Sequence, residues 1–185
     1  GCSTRVPPPE SPESFDEKVI ATGKYFTVCE LTDSNNVVRY RYTVNDTEGN
    51  ILETALCAEA PVVIQASYNV IEIDFTANGH RFTRFFDTDK LLVSESYKNA
   101  FWSDGVLVAK ATYDNGQYLS LESIFDENGY NYRVKLDTLS WKITVKTAEL
   151  SADGTKLSVS YVEGDGNDEK MTVYNEILPL PAEQA

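Results

Sequence analysis

Hydrophobic and polar residues alternate along most of the chain after Lys24. The alternation is clearest in the stretches 38–44, 71–75, 130–136, 141–145 and 157–161. Successive side chains of a strand point to opposite faces, so a period of two predicts strands with one buried and one solvated face. No helical stripe is longer than a couple of turns. The pattern therefore predicts an all-β fold, an antiparallel meander of short strands.

Residue pairs that favour tight turns separate these stretches at regular intervals. Asn and Asp tolerate a positive φ and Gly adopts it without steric cost, which two-residue hairpin loops require. The pairs are Asn78-Gly79, Asp104-Gly105, Asn115-Gly116, Asn128-Gly129 and Asp153-Gly154. Their spacing predicts hairpins joined in chain order.

The meander also contains an internal repeat of about 40 residues. Units of three or four predicted strands begin near Pro61, Asn99 and Trp141, and the third strand of the first two units ends in Phe86-Asp87 and Phe125-Asp126. These units resemble the blades of a β-propeller, although no WD or kelch signature accompanies them. The resemblance implies a small closed propeller or an open fan of blades. A two-sheet β-sandwich or a barrel, in which the repeat is coincidental, remains the alternative.

The N-terminus differs from the rest of the chain. Residues 1–18 lack hydrophobic periodicity, and the four prolines among the first fourteen residues remove backbone donors that a helix or sheet needs. We expect a disordered N-terminal tether over 1–18 and a single all-β domain over 19–185. Cys2, followed by this Pro-, Ser- and Glu-rich stretch, resembles the mature start of a bacterial surface lipoprotein. The resemblance implies that Cys2 carries the lipid anchor and that the protein is extracytoplasmic and membrane-anchored.

The net charge limits the partners that the domain can have. The 185 residues include 16 Lys and Arg against 29 Asp and Glu, which gives a net charge of −13. A phosphate backbone would be repelled by this field, so no nucleic-acid partner is expected. An anionic membrane surface is disfavoured for the same reason, and membrane attachment is expected only through the lipid anchor.

No catalytic, metal-binding or cofactor motif emerges from the sequence. His80, the only histidine, follows a predicted turn, and no nucleophile motif such as G-x-S-x-G accompanies it. With one histidine and no C-x-x-C pair, a zinc site lacks ligands, and neither a metal nor a cofactor is expected. Cys29 and Cys57 each lie in a predicted strand, and the sequence leaves open whether they pair or remain buried thiols.

One cluster of aromatic residues is a candidate binding site. Tyr97, Phe101 and Trp102 lie close together beside a predicted turn, and such a group suits either sugar stacking and protein contacts or packing between sheets. The sequence thus predicts a non-catalytic binding or interaction module for a protein or carbohydrate ligand at the cell surface. The alternative is a glycan-acting hydrolase whose carboxylates converge only in three dimensions.

Overall fold

The structure is a computed structural model that describes residues 15–98, 100–113, 117–125, 131–138, 140, 143–175 and 178–179. These residues form antiparallel sheets of short strands and no helix, which confirms the predicted all-β class. The strands group into four open sheets that follow one another along the chain.

The first sheet is a four-stranded meander in which each strand pairs with the next. Its strands are β1 (Asp16–Thr22), β2 (Phe26–Thr32), β3 (Val38–Asn45) and β4 (Ile51–Cys57). The second sheet is also built from consecutive strands, and both β8 and β9 pair with β7. Its strands are β5 (Val62–Gln65), β6 (Val70–Ala77), β7 (His80–Asp87), β8 (Leu92–Val93) and β9 (Tyr97–Lys98).

The third sheet is a meander to which the last strand of the described chain returns, since β17 pairs with β13. Its strands are β10 (Ala100–Ser103), β11 (Leu107–Tyr113), β12 (Gln117–Ser123), β13 (Asn131–Lys135) and β17 (Leu178–Pro179). The fourth sheet contains β14 (Ile143–Leu150), β15 (Leu157–Glu163) and β16 (Glu169–Tyr174).

The four sheets stack face to face in the order of the chain. Three clusters of buried side chains join the first sheet to the second, the second to the third, and the third to the fourth. Phe85 and Phe86 show how the strand period builds this stack. They are adjacent on β7 and point to opposite faces, so Phe86 packs towards the first sheet and Phe85 towards the third. The second sheet is therefore buried on both faces.

A polar network reinforces the contact between the first and second sheets. Arg84 of β7 forms an ion pair with Glu53 of β4, with 2.9 Å between Nη2 and Oε1. The hydroxyl of Tyr42 donates a hydrogen bond to the other carboxylate oxygen of Glu53 at 2.8 Å. Burial, followed by this carboxylate, raises the pKa of Tyr42 well above its usual value.

Predicted turn residues within the described chain adopt left-handed backbone conformations. Asn78 and Gly79 join β6 to β7 with φ values of 53° and 76°, and Gly105 and Gly154 also have positive φ. These are the left-handed conformations that tight turns demand. Asn115-Gly116 and Asn128-Gly129 lie outside the described residues.

The predicted units begin close to where the sheets begin. The units expected from Pro61, Asn99 and Trp141 correspond to sheets that start at Val62, Ala100 and Ile143. The strands of one unit are not divided between two facing sheets as they would be in a sandwich, apart from the return of β17. Whether the stack is a propeller stays a prediction.

The boundary of the tether differs from the expectation. Strand β1 begins at Asp16, so the last three residues of the predicted tether, 16–18, belong to it. All seven of its side chains are exposed, so the strand carries no burial pattern that the sequence could reveal. Residues 1–14, including Cys2, lie outside the described part of the chain.

Candidate binding surface

The first sheet has one face that no other described sheet covers. The register places Val19, Cys29, Arg41 and Leu56 side by side in one row across the four strands. The neighbouring row on the same face runs through Glu17, Leu31 and Arg39. Paired residues of antiparallel strands share a face, so these two rows define what we call the outer face of the first sheet.

This outer face is apolar at its centre. Leu31 and Cys29 are buried on the central strand β2, whereas Val19 and Leu56 on the two edge strands remain 58% and 59% exposed. A groove of about 320 Å³ runs over the face, and Phe15 contributes to it from just before β1. The groove is lined by Phe15, Leu31, Arg39, Arg41, Thr54, Ala55 and Leu56.

Two arginines give the groove a positive charge in a strongly acidic protein. Arg41 pairs with Glu17, with 3.1 Å between Nη1 and Oε1, and this hydrogen bond raises the pKa of Arg41. Arg39 is exposed and forms no ion pair with any residue that the structure describes. An apolar floor with a free guanidinium favours a ligand that carries both apolar groups and carboxylates.

The predicted aromatic cluster is only partly described. Tyr97 is 4% exposed and packs edge-on against Phe85, with 5.9 Å between ring centroids. Its hydroxyl donates a hydrogen bond of 2.6 Å to the carbonyl of Ile124, which directly follows β12 of the third sheet. Tyr97 thus belongs to the core between the second and third sheets and presents no open ring face. Phe101 and Trp102 lie on β10, and their side chains lie outside the described residues.

Glu72 and Asp74 are the carboxyl pair that bears most directly on the hydrolase alternative. They share one face of β6, and Asp74 accepts hydrogen bonds from Thr83 at 2.7 Å and from Arg81 at 3.2 Å. Burial, and then the charge and hydrogen bond of Asp74, raise the pKa of Glu72 to about 7.

The position of this carboxyl pair does not favour a glycosidase. A glycosidase needs its acid and its nucleophile or base on either side of the sugar bond, roughly 5 Å or more apart, in a site that the sugar can enter. Neither carboxyl lines the groove or the cavity between the second and third sheets.

The cavity between the second and third sheets, of about 320 Å³, is lined by a carboxylate that stabilises a turn. Its lining includes Ser67, Asp87, Gly105, Ser123 and Phe125. The carboxylate of Asp87 accepts hydrogen bonds from the backbone amides of Asp89 and Lys90 at 3.0 and 2.8 Å. It therefore holds the turn that follows β7.

The described residues offer few other candidates for a metal-binding or catalytic site. Among the described residues, no group of three or more His, Cys, Asp or Glu side chains is arranged to hold a metal ion. His80 is exposed where β7 begins, next to the turn that the sequence predicts. No helix within the described ranges is long and apolar enough to cross a membrane.

The outer face of the first sheet was not predicted from the sequence. The available signal was that β2 is apolar on both faces. Phe26 and Val28 point to one face, and Cys29 and Leu31 point to the other. A strand with two apolar faces predicts burial on both sides, and here only one side is covered by another described sheet. Comparison with protein-family models, with curated proteins and with solved structures finds no match to this chain.

Proposed function

We propose that this protein is a non-catalytic interaction module that binds an extended protein segment on the outer face of its first sheet. The observation that carries the proposal is the groove itself, in which Leu31 and Leu56 form an apolar floor beside Arg39 and Arg41. Exposed apolar patches of this kind mark interaction sites. The arginines select for carboxylates in the bound segment.

The composition of the groove favours a protein ligand over a carbohydrate. Sugars are held by flat aromatic faces together with amide and carboxylate groups, whereas this groove offers aliphatic side chains and a single aromatic ring, that of Phe15. An extended segment with alternating apolar and acidic side chains would place its apolar groups on the floor and its carboxylates against the arginines.

The proposed setting is the outer surface of a bacterial cell, with Cys2 as the lipid anchor. The support is the position of Cys2 ahead of a Pro-, Ser- and Glu-rich stretch. When the full-length precursor is expressed in a bacterial host with labelled fatty acid, we expect incorporation that Cys2→Ser abolishes. Undiminished labelling of the variant would refute the anchor.

The binding proposal is tested with a defined probe. A fluorescein-labelled peptide of alternating Leu and Glu is titrated with the full chain and followed by fluorescence anisotropy, and a peptide of alternating Leu and Lys serves as the charge control. We expect the acidic peptide to bind more tightly than the basic one, because close pairing with the arginines of the groove outweighs the longer-range repulsion from the net charge of −13.

Matched variants locate the site of binding. Leu56→Asp and Arg39→Glu should each weaken binding by about tenfold or more, or about 1.4 kcal/mol. Val62→Asp changes a comparably exposed residue of the second sheet and should leave binding unchanged. Equal affinity for the acidic and basic peptides, or equal loss in all three variants, would refute a site on this face.

A further inference from the structure

The fourth sheet lies at the other end of the stack and also has a face that no other described sheet covers. Leu157, Val159 and Tyr161 of β15 point into the core shared with the third sheet. The alternating residues of β15 point the other way, and the register pairs Val162 with Glu169, Ser160 with Met171 and Ser158 with Val173. With Glu149 of β14, which pairs with Ser158, these residues define the outer face of the fourth sheet.

Strand β16 presents the side chains that the proposed groove selects. Glu169, Met171 and Val173 alternate along one side of this edge strand. Met171 is 74% exposed and Val173 is 50% exposed, so two large apolar side chains face solvent beside a carboxylate. The strand is thus an extended segment with apolar and acidic groups, displayed on the protein itself.

The charges of the two end faces are complementary. On the outer face of the first sheet, Arg39 and Arg41 outnumber the single carboxylate of Glu17. On the fourth sheet, Glu149 and Glu169 outnumber Lys146, which is exposed at the bulge of β14. Two first-sheet faces would bring together two surfaces with an excess of positive charge, and two fourth-sheet faces would bring together two with an excess of negative charge. Both like pairings are disfavoured, whereas a first-sheet face against a fourth-sheet face brings opposite charges together.

We propose that the outer face of the fourth sheet of one copy docks on the outer face of the first sheet of a second copy, so that copies assemble head to tail. This inference rests on the proposed function, because it assigns the partner of the same groove. It extends between molecules the sheet-on-sheet packing that joins the four sheets within one molecule.

The edge of the first sheet argues against assembly through strand pairing. Strand β1 is an edge strand with a bulge between Val19 and Ala21, and it carries Glu17 and Lys18. Bulges and charges on an edge strand oppose the addition of another strand. The faces, rather than this edge, are therefore the surfaces suited to assembly.

A head-to-tail contact has a distinctive consequence. Because each copy offers two different faces, every added copy leaves one face of each kind open at the ends, and the assembly grows into a ring or an open filament. A symmetric contact of one face with itself would instead stop at a dimer.

The experiment uses the full chain in reducing buffer, so that Cys2 cannot cross-link copies. Light scattering coupled to size exclusion is recorded up to about 1 mM protein, a concentration that detects even weak association. We expect the mass to rise with concentration beyond that of a dimer. Leu56→Asp on the first-sheet face and Met171→Asp on the fourth-sheet face should each be monomeric, with unchanged circular dichroism.

The decisive sample is an equimolar mixture of these two variants. Each retains one intact face, and the two intact faces are complementary, so the mixture should form a complex of one copy of each and grow no further. A mixture that stays monomeric would overturn the proposal, as would wild-type protein that stays monomeric throughout. As a second pair, Arg39→Glu and Glu169→Lys should each prevent assembly alone, and the double variant should restore it.

The outcome also separates this inference from the proposed function. If the chain remains monomeric while the Leu–Glu peptide still binds the groove, self-docking fails and the interaction module stands. If neither association nor peptide binding occurs, both proposals fail.

Discussion

Cys29 and Cys57 lie on opposite faces of the same sheet. Cys29 pairs across the first sheet with Arg41 of β3, whereas Cys57 pairs with Tyr40, the residue next to Arg41. Adjacent residues of a strand point to opposite faces, so the thiol of Cys29 lies on the outer face and that of Cys57 in the core towards the second sheet. Both cysteines are free and buried. This register answers the question of pairing that the sequence leaves open.

The first prediction follows from that register. Protein purified without reductant, then denatured and alkylated, should yield Cys29 and Cys57 as two separately alkylated peptides. In the native protein Cys57 should react slowly, because burial raises its pKa and reduces the thiolate fraction. Peptide mapping by mass spectrometry provides the measurement, and a peptide pair linked through Cys29 and Cys57 would contradict the register.

The second prediction concerns two phenylalanines at related places in the stack. Phe86 is fully buried between the first and second sheets, and Phe125 packs, half-buried, against the cluster between the second and third sheets. Phe86→Ala should lower the free energy of unfolding by about 3–5 kcal/mol. Phe125→Ala should lower it by about half as much, because the Phe125 ring is only partly buried and its loss removes less apolar contact. Urea unfolding measures both values. If the free energy of unfolding falls by less than about 1 kcal/mol in both variants, neither ring contributes substantially to the packing.

A third prediction separates steric contact from backbone strain at glycines. Gly105 and Gly154 have φ values of 86° and 72°. A Cβ on Gly105 would approach Cβ of Ser67 to 2.8 Å, whereas a Cβ on Gly154 would meet nothing within 4 Å. Gly154→Ala should cost about 1 kcal/mol from backbone conformation alone. Gly105→Ala should cost about 3 kcal/mol, since overpacking adds to the strain.

The control for this comparison removes the contacting group. Ser67→Gly should recover part of the loss in the Gly105→Ala background and leave Gly154→Ala unaffected, as a double-mutant cycle from thermal unfolding would show. Equal losses for the two alanine variants would mean that the second and third sheets are not in close contact at Gly105.

The fourth prediction uses the raised pKa of Glu72. Its carboxyl titrates near the ordinary value of 4.5 in the unfolded chain and near 7 in the folded protein. The native state therefore binds more protons between these values, and its stability falls as the pH rises from about 4.5 to about 7. Glu72→Gln should remove this fall and stabilise the protein at pH 8 by about 1 kcal/mol, a value reduced for partial solvation.

The same variant should show no gain at pH 5, where Glu72 is already mostly protonated. Urea unfolding at pH 5 and pH 8 compares the two states, and Glu59→Gln, which alters an exposed residue, serves as the control. A Glu72→Gln variant as stable as wild type at pH 8 would show that the folded pKa is not raised.

The sequence pattern predicted the parts of the fold that depend on neighbouring residues. The alternation over 38–44 corresponds to β3, the run 157–161 lies within β15, and Asn78-Gly79 forms the turn between β6 and β7. In these cases the alternation or the turn-forming pair lies within a few consecutive residues, so it can be recognised locally. Strand β1 escaped detection because its side chains are all exposed and carry no alternation of burial.

The packing of the sheets against one another could not be predicted from such local patterns. Tyr97 is buried in the cluster between the second and third sheets, where its hydroxyl bonds the carbonyl of Ile124, 27 residues further along the chain. The sequence predicted that the sheets have apolar faces but gave no means of deciding which face lies at an end of the stack. The outer face of the first sheet depends on that non-local arrangement, and only the structure reveals it.

The stacking of sheets in chain order has a consequence for how the protein folds and opens. Apart from β17, each sheet forms from one contiguous segment, so closing it requires only short loops and a small loss of chain entropy. A sheet near the N-terminus can therefore form while later segments are still being synthesised, and its apolar face then provides a surface on which the next sheet assembles. The two middle sheets are buried on both faces and the two end sheets on one. Amide hydrogens of the first and fourth sheets should accordingly exchange through openings of lower free energy than those of the second and third.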